Sequence, residues 1–318
     1  MGEIAIRQAI LHGIVAAGFV EALLRTWKMG CADARIRFWM LALAFPLLVA
    51  PLFLAALPLR STDWFAGRWA LFASARWNAV RLAGIGVDTL VFAVLVAAGL
   101  ALFLRDAVPL VVDAWRERRD DAGARVDDVA DLGALVADLS HALRILPPAV
   151  TIVAADARVF FVRGLLNHRL VVSHAVLAHL DGPRLRAAVA HELAHVARRD
   201  PLAGWLLMAA RLAMCWNPAV QLLARAIVQE MERRADQAAA ALTAPEHVTE
   251  ALRRLAAPAA RTTRRSGMPL RTLTEHLDGA HIRARAAALL APAARETSTP
   301  ARLTLAGVGL GVLLFFVV

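Results

Sequence analysis

The chain has 318 residues, 59% hydrophobic and only 19% charged, with a formal net charge of +10 and a mean hydropathy of +0.56. Soluble domains are about half apolar and about a quarter charged, so a disordered chain and a collagen-like fibre are excluded and a plain cytosolic globular enzyme is not the expectation. Two cysteines, Cys31 and Cys215, supply neither a disulfide framework nor a thiolate metal cage.

Residues 4–24 are apolar apart from Arg7, Gln8, His12 and Glu21, and no small-residue cleavage site follows, so they read as a retained membrane anchor. Residues 38–59 hold no charge over 22 positions. That suffices to cross a hydrocarbon layer of ~30 Å at about 1.5 Å per residue, even with a kink at Pro46 or Pro51. Residues 87–104 form a third expected span and 303–318 a short fourth. Between the second and third, Trp64, Trp69 and Trp77 stand among Arg68, Arg76 and Arg81. This suits a helix over 64–83 lying at headgroup level, with an ordinary loop helix as the alternative.

Arg25, Lys28, Arg35 and Arg37 crowd residues 25–37, whereas four arginines spread over 60–88. The denser loop is expected on the cytoplasmic side, which places the long segment 105–300 inside the cell. Almost all the positive charge is arginine flanking apolar segments, with no basic helix or aromatic-interleaved stripe, so lipid headgroups and not nucleic acid are the expected counter-charge.

Spaced Leu and Val from Val129 to Leu143 fit an amphipathic helix. Residues 149–154, 158–163 and 169–173 are short β-branched or aromatic runs, expected as a small sheet. Asp181-Gly182-Pro183, Asp200-Pro201 and Asn217-Pro218 each mark a helix start, because proline's missing N–H has no partner in the first turn anyway. Residues 202–216, too short for a span and carrying Arg211, are expected as a helix packed on the domain or dipping into the interface. The arginines at 253–271 and 283–285 read as a solvated, membrane-facing surface, with substrate docking as the alternative.

On the helix that starts at Pro183 sits His191-Glu192-Leu193-Ala194-His195. Residues i and i+4 share a helical face, so both imidazoles reach one metal ion, while Glu192, ~100° round the helix, is the candidate general base. Zinc suits such ligands best, one ion per chain. A catalytic zinc site needs a third protein ligand. Glu232 in Glu232-Arg233-Arg234-Ala235-Asp236 is the candidate, with Glu230 as its rival. Asp236, one turn on, is placed to fix the tautomer of a ligating histidine through its outer nitrogen. There is no tyrosine, so a second oxyanion donor has to be a His, Arg, Asn or backbone N–H; His174 is a candidate, His168 and His179 weaker ones.

His191-Glu192-x-x-His195 with Arg199-Asp200, then Cys215-Trp216-Asn217-Pro218, then Glu232-x-x-x-Asp236, resembles the membrane metallopeptidases of the β-lactam sensor-transducer (BlaR/MecR) type. It is more distantly similar to the heat-shock membrane protease (HtpX) and prenyl-protein (CAAX) endopeptidases. The resemblance covers about residues 145–290 plus the flanking spans. It implies a mainly α integral membrane protein of about four transmembrane helices, with an inserted α+β minigluzincin-like zinc domain facing the cytoplasm. The expected organisation is a membrane region over 1–112, a zinc metallopeptidase domain over 113–300 and a last transmembrane helix over 301–318. The implied activity is zinc-dependent hydrolysis of peptide bonds in a protein or peptide substrate at the inner membrane, in signalling or quality control, with a separate sensor or regulator protein as a partner. Sensor-transducers carry a large extracellular sensor after their last span and this sequence does not, so no β-lactam receptor role is expected. Two other readings compete. A site-2 protease would use Leu277-Asp278-Gly279, in surroundings too polar for a membrane core, and a non-catalytic membrane scaffold with a vestigial zinc site would have no need of Glu192.

Overall fold

A computed structural model of the chain describes residues 2–71, 80–120, 130–153, 159–256, 279–290 and 299–317 and is mostly helical, with two small sheets. In chain order, α1 (Gly2–Thr26), α2 (Ala32–Ala44), α3 (Ala50–Ala56) and α4 (Asp63–Arg68) lead to a hairpin of β1 (Arg81–Leu82) and β2 (Ile85–Gly86). Next come α5 (Val87–Asp120), α6 (Ala130–Ala142), β3 (Ala149–Val153), β4 (Phe160–Arg163), β5 (Arg169–Ser173) and α7 (His174–His179). The chain continues through α8 (Gly182–Ala197), α9 (Asp200–Ala213), α10 (Pro218–Leu242), α11 (Pro245–Ala256), α12 (Gly279–Leu290) and α13 (Thr299–Phe315). It packs as two compact units: Met1–Arg105 with Ala209–Ile227 and Ala293–Val318, and Asp106–Met208 with Val228–Pro292.

Within the first unit two helices are long and apolar enough to cross a membrane, Ala5–Thr26 and Val87–Val108, the latter running three residues past the unit's boundary. Pro300–Phe315 is a shorter apolar helix. Residues 38–59, expected as one kinked span, are helical without a break as far as Ala56: α2 ends at Ala44, Phe45–Val49 is π-helical, and α3 follows directly. Pro46 and Pro51 each remove an amide donor and crowd the preceding turn, and the wider π-turn makes room for the ring. Of the helix expected over 64–83, the described residues show α4 at its start and β1 at its end, and residues 72–79 lie outside the described residues. Leu82 pairs with Ile85 across Ala83-Gly84, whose φ values of 51° and 82° make the tight turn of a hairpin. Trp64 and Trp69 are exposed, and Trp77 lies outside the described residues.

Arg60 and Arg211 are the largest fully buried side chains of the first unit among the described residues. Arg60 donates from Nε to Phe315 O at 2.8 Å and from Nη2 to Leu314 O at 3.1 Å and Val317 O at 2.9 Å, with its guanidinium 4.4 Å from the Phe53 ring centroid. The last carbonyls of a helix have no partners within it, so this cation satisfies them and offsets the negative end of the α13 dipole. Arg60→Met keeps the apolar stem and removes every donor. It is expected to lower stability by about 3 kcal/mol, since each orphaned buried polar group costs about 1–3 kcal/mol before relaxation; thermal unfolding in detergent measures it.

The second unit is built on a sheet of order β3-β5-β4, with β3 parallel and β4 antiparallel to β5. Successive side chains on a strand face opposite ways, and the burial follows that period. Phe160, Val162, Leu170 and Val172 pack with Ile152, Leu132, Leu139, Val189 and Leu193 in the main core, while Phe161, Val171 and Val159 form a small cluster of their own. Thus α8 is fixed against the sheet by its Val189 and Leu193 side.

Candidate metal centre

Helix α8 begins where its sequence directs: Asp181 caps it, accepting from Arg184 N at 3.4 Å, and Pro183 sits in the first turn. Asn217 starts α10 likewise, its Oδ1 accepting from Ala219 N at 3.0 Å and Val220 N at 3.4 Å. On α8, His191 and His195 project from one face, ring centroids 4.9 Å apart and Nε2 atoms 3.3 Å apart. Helix α10 brings Glu232 to them, with Oε2 3.5 Å from His191 Nε2 and Oε1 3.5 Å from His195 Nε2. One ligand atom from each of the three lies within 4.8 Å of the others.

This donor set fits a metal ion. Four ligands held tetrahedrally at about 2.0–2.2 Å stand about 3.3–3.6 Å from one another; the two Nε2 atoms, 3.3 Å apart, match that spacing, and the Glu232 carboxylate straddles them, one oxygen 3.5 Å from each ring. Two imidazole nitrogens and a carboxylate also form the ligand chemistry that suits zinc.

Both outer ring nitrogens face carboxylates. His191 Nδ1 lies 3.0 Å from Asp236 Oδ1, and His195 Nδ1 lies 2.8 Å from Asp200 Oδ2. Both acids are 1% exposed, and an unpaired charge at that depth would be costly. Each is matched by an arginine: Arg234 pairs with Asp200, and Arg285 of α12 forks onto Asp236 with two bonds of 2.7 Å. A third arm of Arg285, Nη1, reaches Glu232 Oε2 at 3.1 Å. Burial opposes a charged His191, but Asp236 and Glu232 beside it prevail and raise it to about 10. Burial also opposes charge on Glu232 and Asp236, yet Arg285 and His191 hold both well below the ordinary carboxylate range. A cation bound through His191 Nε2 would therefore have to compete with a proton for that ring.

Glu192, next in sequence to His191, is not a member of the triple, and its Oε2 accepts from Val162 N of β4 at 3.0 Å. Glu230, the rival ligand, is engaged by Arg233 at 2.8 Å and is not among the grouped residues. His168 Nδ1 sits 3.1 Å from Gly164 O, and His174 and His179 are exposed on α7; none of the three joins the His191–His195–Glu232 group. Leu277 and Asp278 lie outside the described residues.

Arg285 is the residue that sequence reading misses. Its side chain is 13% exposed and belongs to no solvated surface. Nothing local marks it, since its partners are about 50 positions away, and only its role as counter-charge to two buried acids explains its place. Asp200 carried a hint, lying five residues after His195 beside a helix start, but a cap was all that its position suggested. Arg285→Ala is expected to weaken metal binding about 10–100-fold, the usual cost of removing an outer partner. Arg285→Lys should recover only part of that, because a point charge replaces the fork; equilibrium dialysis against a chelator series gives both values.

No curated protein matches the chain. The family model described as BlaR1 peptidase M56 matches residues 87–250, which include His191, Glu192, His195, Glu232 and Asp236 and end before Arg285. That match spans just over half of the sequence, and the chain belongs to the BlaR1 peptidase M56 family of metallopeptidases.

Proposed function

We propose that the chain is a membrane-embedded, zinc-dependent endopeptidase that cleaves a protein substrate at the cytoplasmic face. The observation that carries this reading is the convergence of His191 Nε2, His195 Nε2 and the Glu232 carboxylate on one point, with Glu192 beside them and outside the ligand set. His191, His195 and Glu232 would hold the ion. Bound there, zinc would supply Lewis acidity and bring the pKa of a water from ~15.7 toward ~7.

The rest of the work falls to the chain's own groups. Asp236 and Asp200 keep the outer proton on each ring, so both Nε2 lone pairs stay turned to the ion. Glu192 takes the proton of the attacking water and passes it to the departing amine, its carboxylate steadied by Val162 N–H. Strand β4 lies at an edge of the sheet order, where an extended substrate could add as a further strand.

The decisive experiment is cleavage of an unfolded model protein by the full chain in detergent, abolished by chelator and restored by zinc. Absence of cleavage by zinc-loaded protein across varied substrates would favour the non-catalytic membrane component instead. The four-span organisation, with the zinc domain over 113–300, has its own test: a reporter fused near residue 125 is expected to behave as cytoplasmic and one near residue 70 as external. The reverse would place the active site outside the cell.

A further inference from the structure

The structure assigns a second role to one end of the three-stranded sheet. We propose that the turn Gly164–His168 and the approach to β3 at Arg144–Pro148 form a tip that dips into the surface of an anionic lipid bilayer. The proposal rests on the membrane reading above and makes no use of the metal site.

Strand β3 begins at Ala149 opposite Arg169, and β4 ends at Arg163 opposite the same Arg169. Both connections therefore emerge at one end of the sheet, on the two strands that flank β5, about 10 Å apart. They carry the most exposed large apolar side chains among this unit's described residues: Leu146 is 89% exposed and Leu166 85%, with Leu165 beside it at 43%. Exposed Arg144, Arg163 and Arg169 flank them, and no acidic residue occurs in 139–149 or 159–173.

The tip is built, not frayed. Gly164 adopts φ +104°, and a Cβ there would stand 2.1 Å from Asn167 O, so only glycine closes the turn. Helix α6 ends with Ile145 N bonded to Ser140 O at 3.0 Å and Arg144 N to His141 O at 3.1 Å. That motif wants glycine at its left-handed position, yet Arg144 occupies it at φ 57°. An unfavourable backbone conformation is kept while an arginine is presented beside the leucines.

Leucines at a turn apex ringed by arginines match a bilayer better than a protein. The leucines reach the boundary between headgroups and acyl chains while the guanidiniums bind lipid phosphates. A few side chains at a turn fall far short of the roughly 800 Å² per partner that a stable protein interface covers. The unit also follows directly on a helix long and apolar enough to cross a membrane, Val87–Val108, which keeps a lipid surface within reach.

The test uses the full chain with Cys31 and Cys215 replaced by alanine, reconstituted in phosphatidylcholine–phosphatidylglycerol nanodiscs. An environment-sensitive fluorophore is placed at Leu166→Cys, at Val94→Cys on apolar helix α5, or at exposed Glu246→Cys as the aqueous control. The expected result is a blue-shifted Leu166 probe, quenched at least about twofold more than the Glu246 probe by lipid brominated near the headgroup. Quenching should fall toward the control in pure phosphatidylcholine, in about 1 M salt, where screening is nearly complete, and in the triple variant Arg144→Gln, Arg163→Gln, Arg169→Gln. A quenched Val94 probe with a Leu166 probe like the control would overturn the docking alone. No quenching at Val94 would remove the membrane reading and the tip with it. The same Leu166 shift in lipid-free detergent would assign the tip to a protein contact and overturn the proposal.

Discussion

Glu192→Gln is expected to reduce peptide hydrolysis by at least ~10² while leaving the zinc content unchanged. The glutamine keeps the side chain's size, and its carbonyl oxygen can still accept from Val162 N, which now bonds Glu192 Oε2 at 3.0 Å. It has no oxygen basic enough to take a proton from water. Because Glu192 is outside the His191–His195–Glu232 group, its loss as a base should be felt in chemistry and not in affinity. Cleavage of an unfolded model protein and metal content are measured on the same preparations. Equal cleavage by both forms would remove Glu192 from the reaction, and a parallel loss of zinc would make it a ligand.

Glu232→Ala is expected to abolish stoichiometric zinc binding, with His191→Ala and His195→Ala behaving alike. Each removes one of three ligand atoms, a larger loss than the about 10–100-fold expected of an outer partner. Glu232→Ala also leaves Arg285 Nη1 without its 3.1 Å contact, so Asp236 alone is left to balance that cation beside the site. Glu230→Ala should keep its metal, since Glu230 is turned to Arg233. Undiminished zinc in Glu232→Ala with loss in Glu230→Ala would exchange the two residues. Thermal unfolding of each variant with and without zinc separates loss of the ligand from loss of the fold, because only a folded site gains stability from the ion.

Much of this follows from short-range rules. The starts of α8 and α10 were readable because a capping side chain and a following proline act within three residues, at Asp181-Gly182-Pro183 and Asn217-Pro218. The three strands were readable because β-branched and aromatic runs broken by turn residues are local as well. The proline kink expected within 38–59 takes the form of a π-helical stretch joining α2 to α3 without a break. Structure departed from expectation further along the chain. At 81–86, Ala83-Gly84 closes a hairpin that a count of tryptophans and arginines could not reveal.

The sequence by itself determined the face shared by His191 and His195, since four residues is just over one helical turn, and it narrowed the third ligand to two glutamates on one later helix. Only the tertiary structure places Glu232, and not Glu230, beside the two histidines, because the rotation of α10 about its axis is set by what its other faces bury. It alone brought Asp200 to His195 and Arg285 to Glu232 and Asp236. Those pairings have no period in the chain. They arise because carboxylates taken out of water need opposite charge within hydrogen-bonding distance, and the fold meets that need from wherever a helix passes.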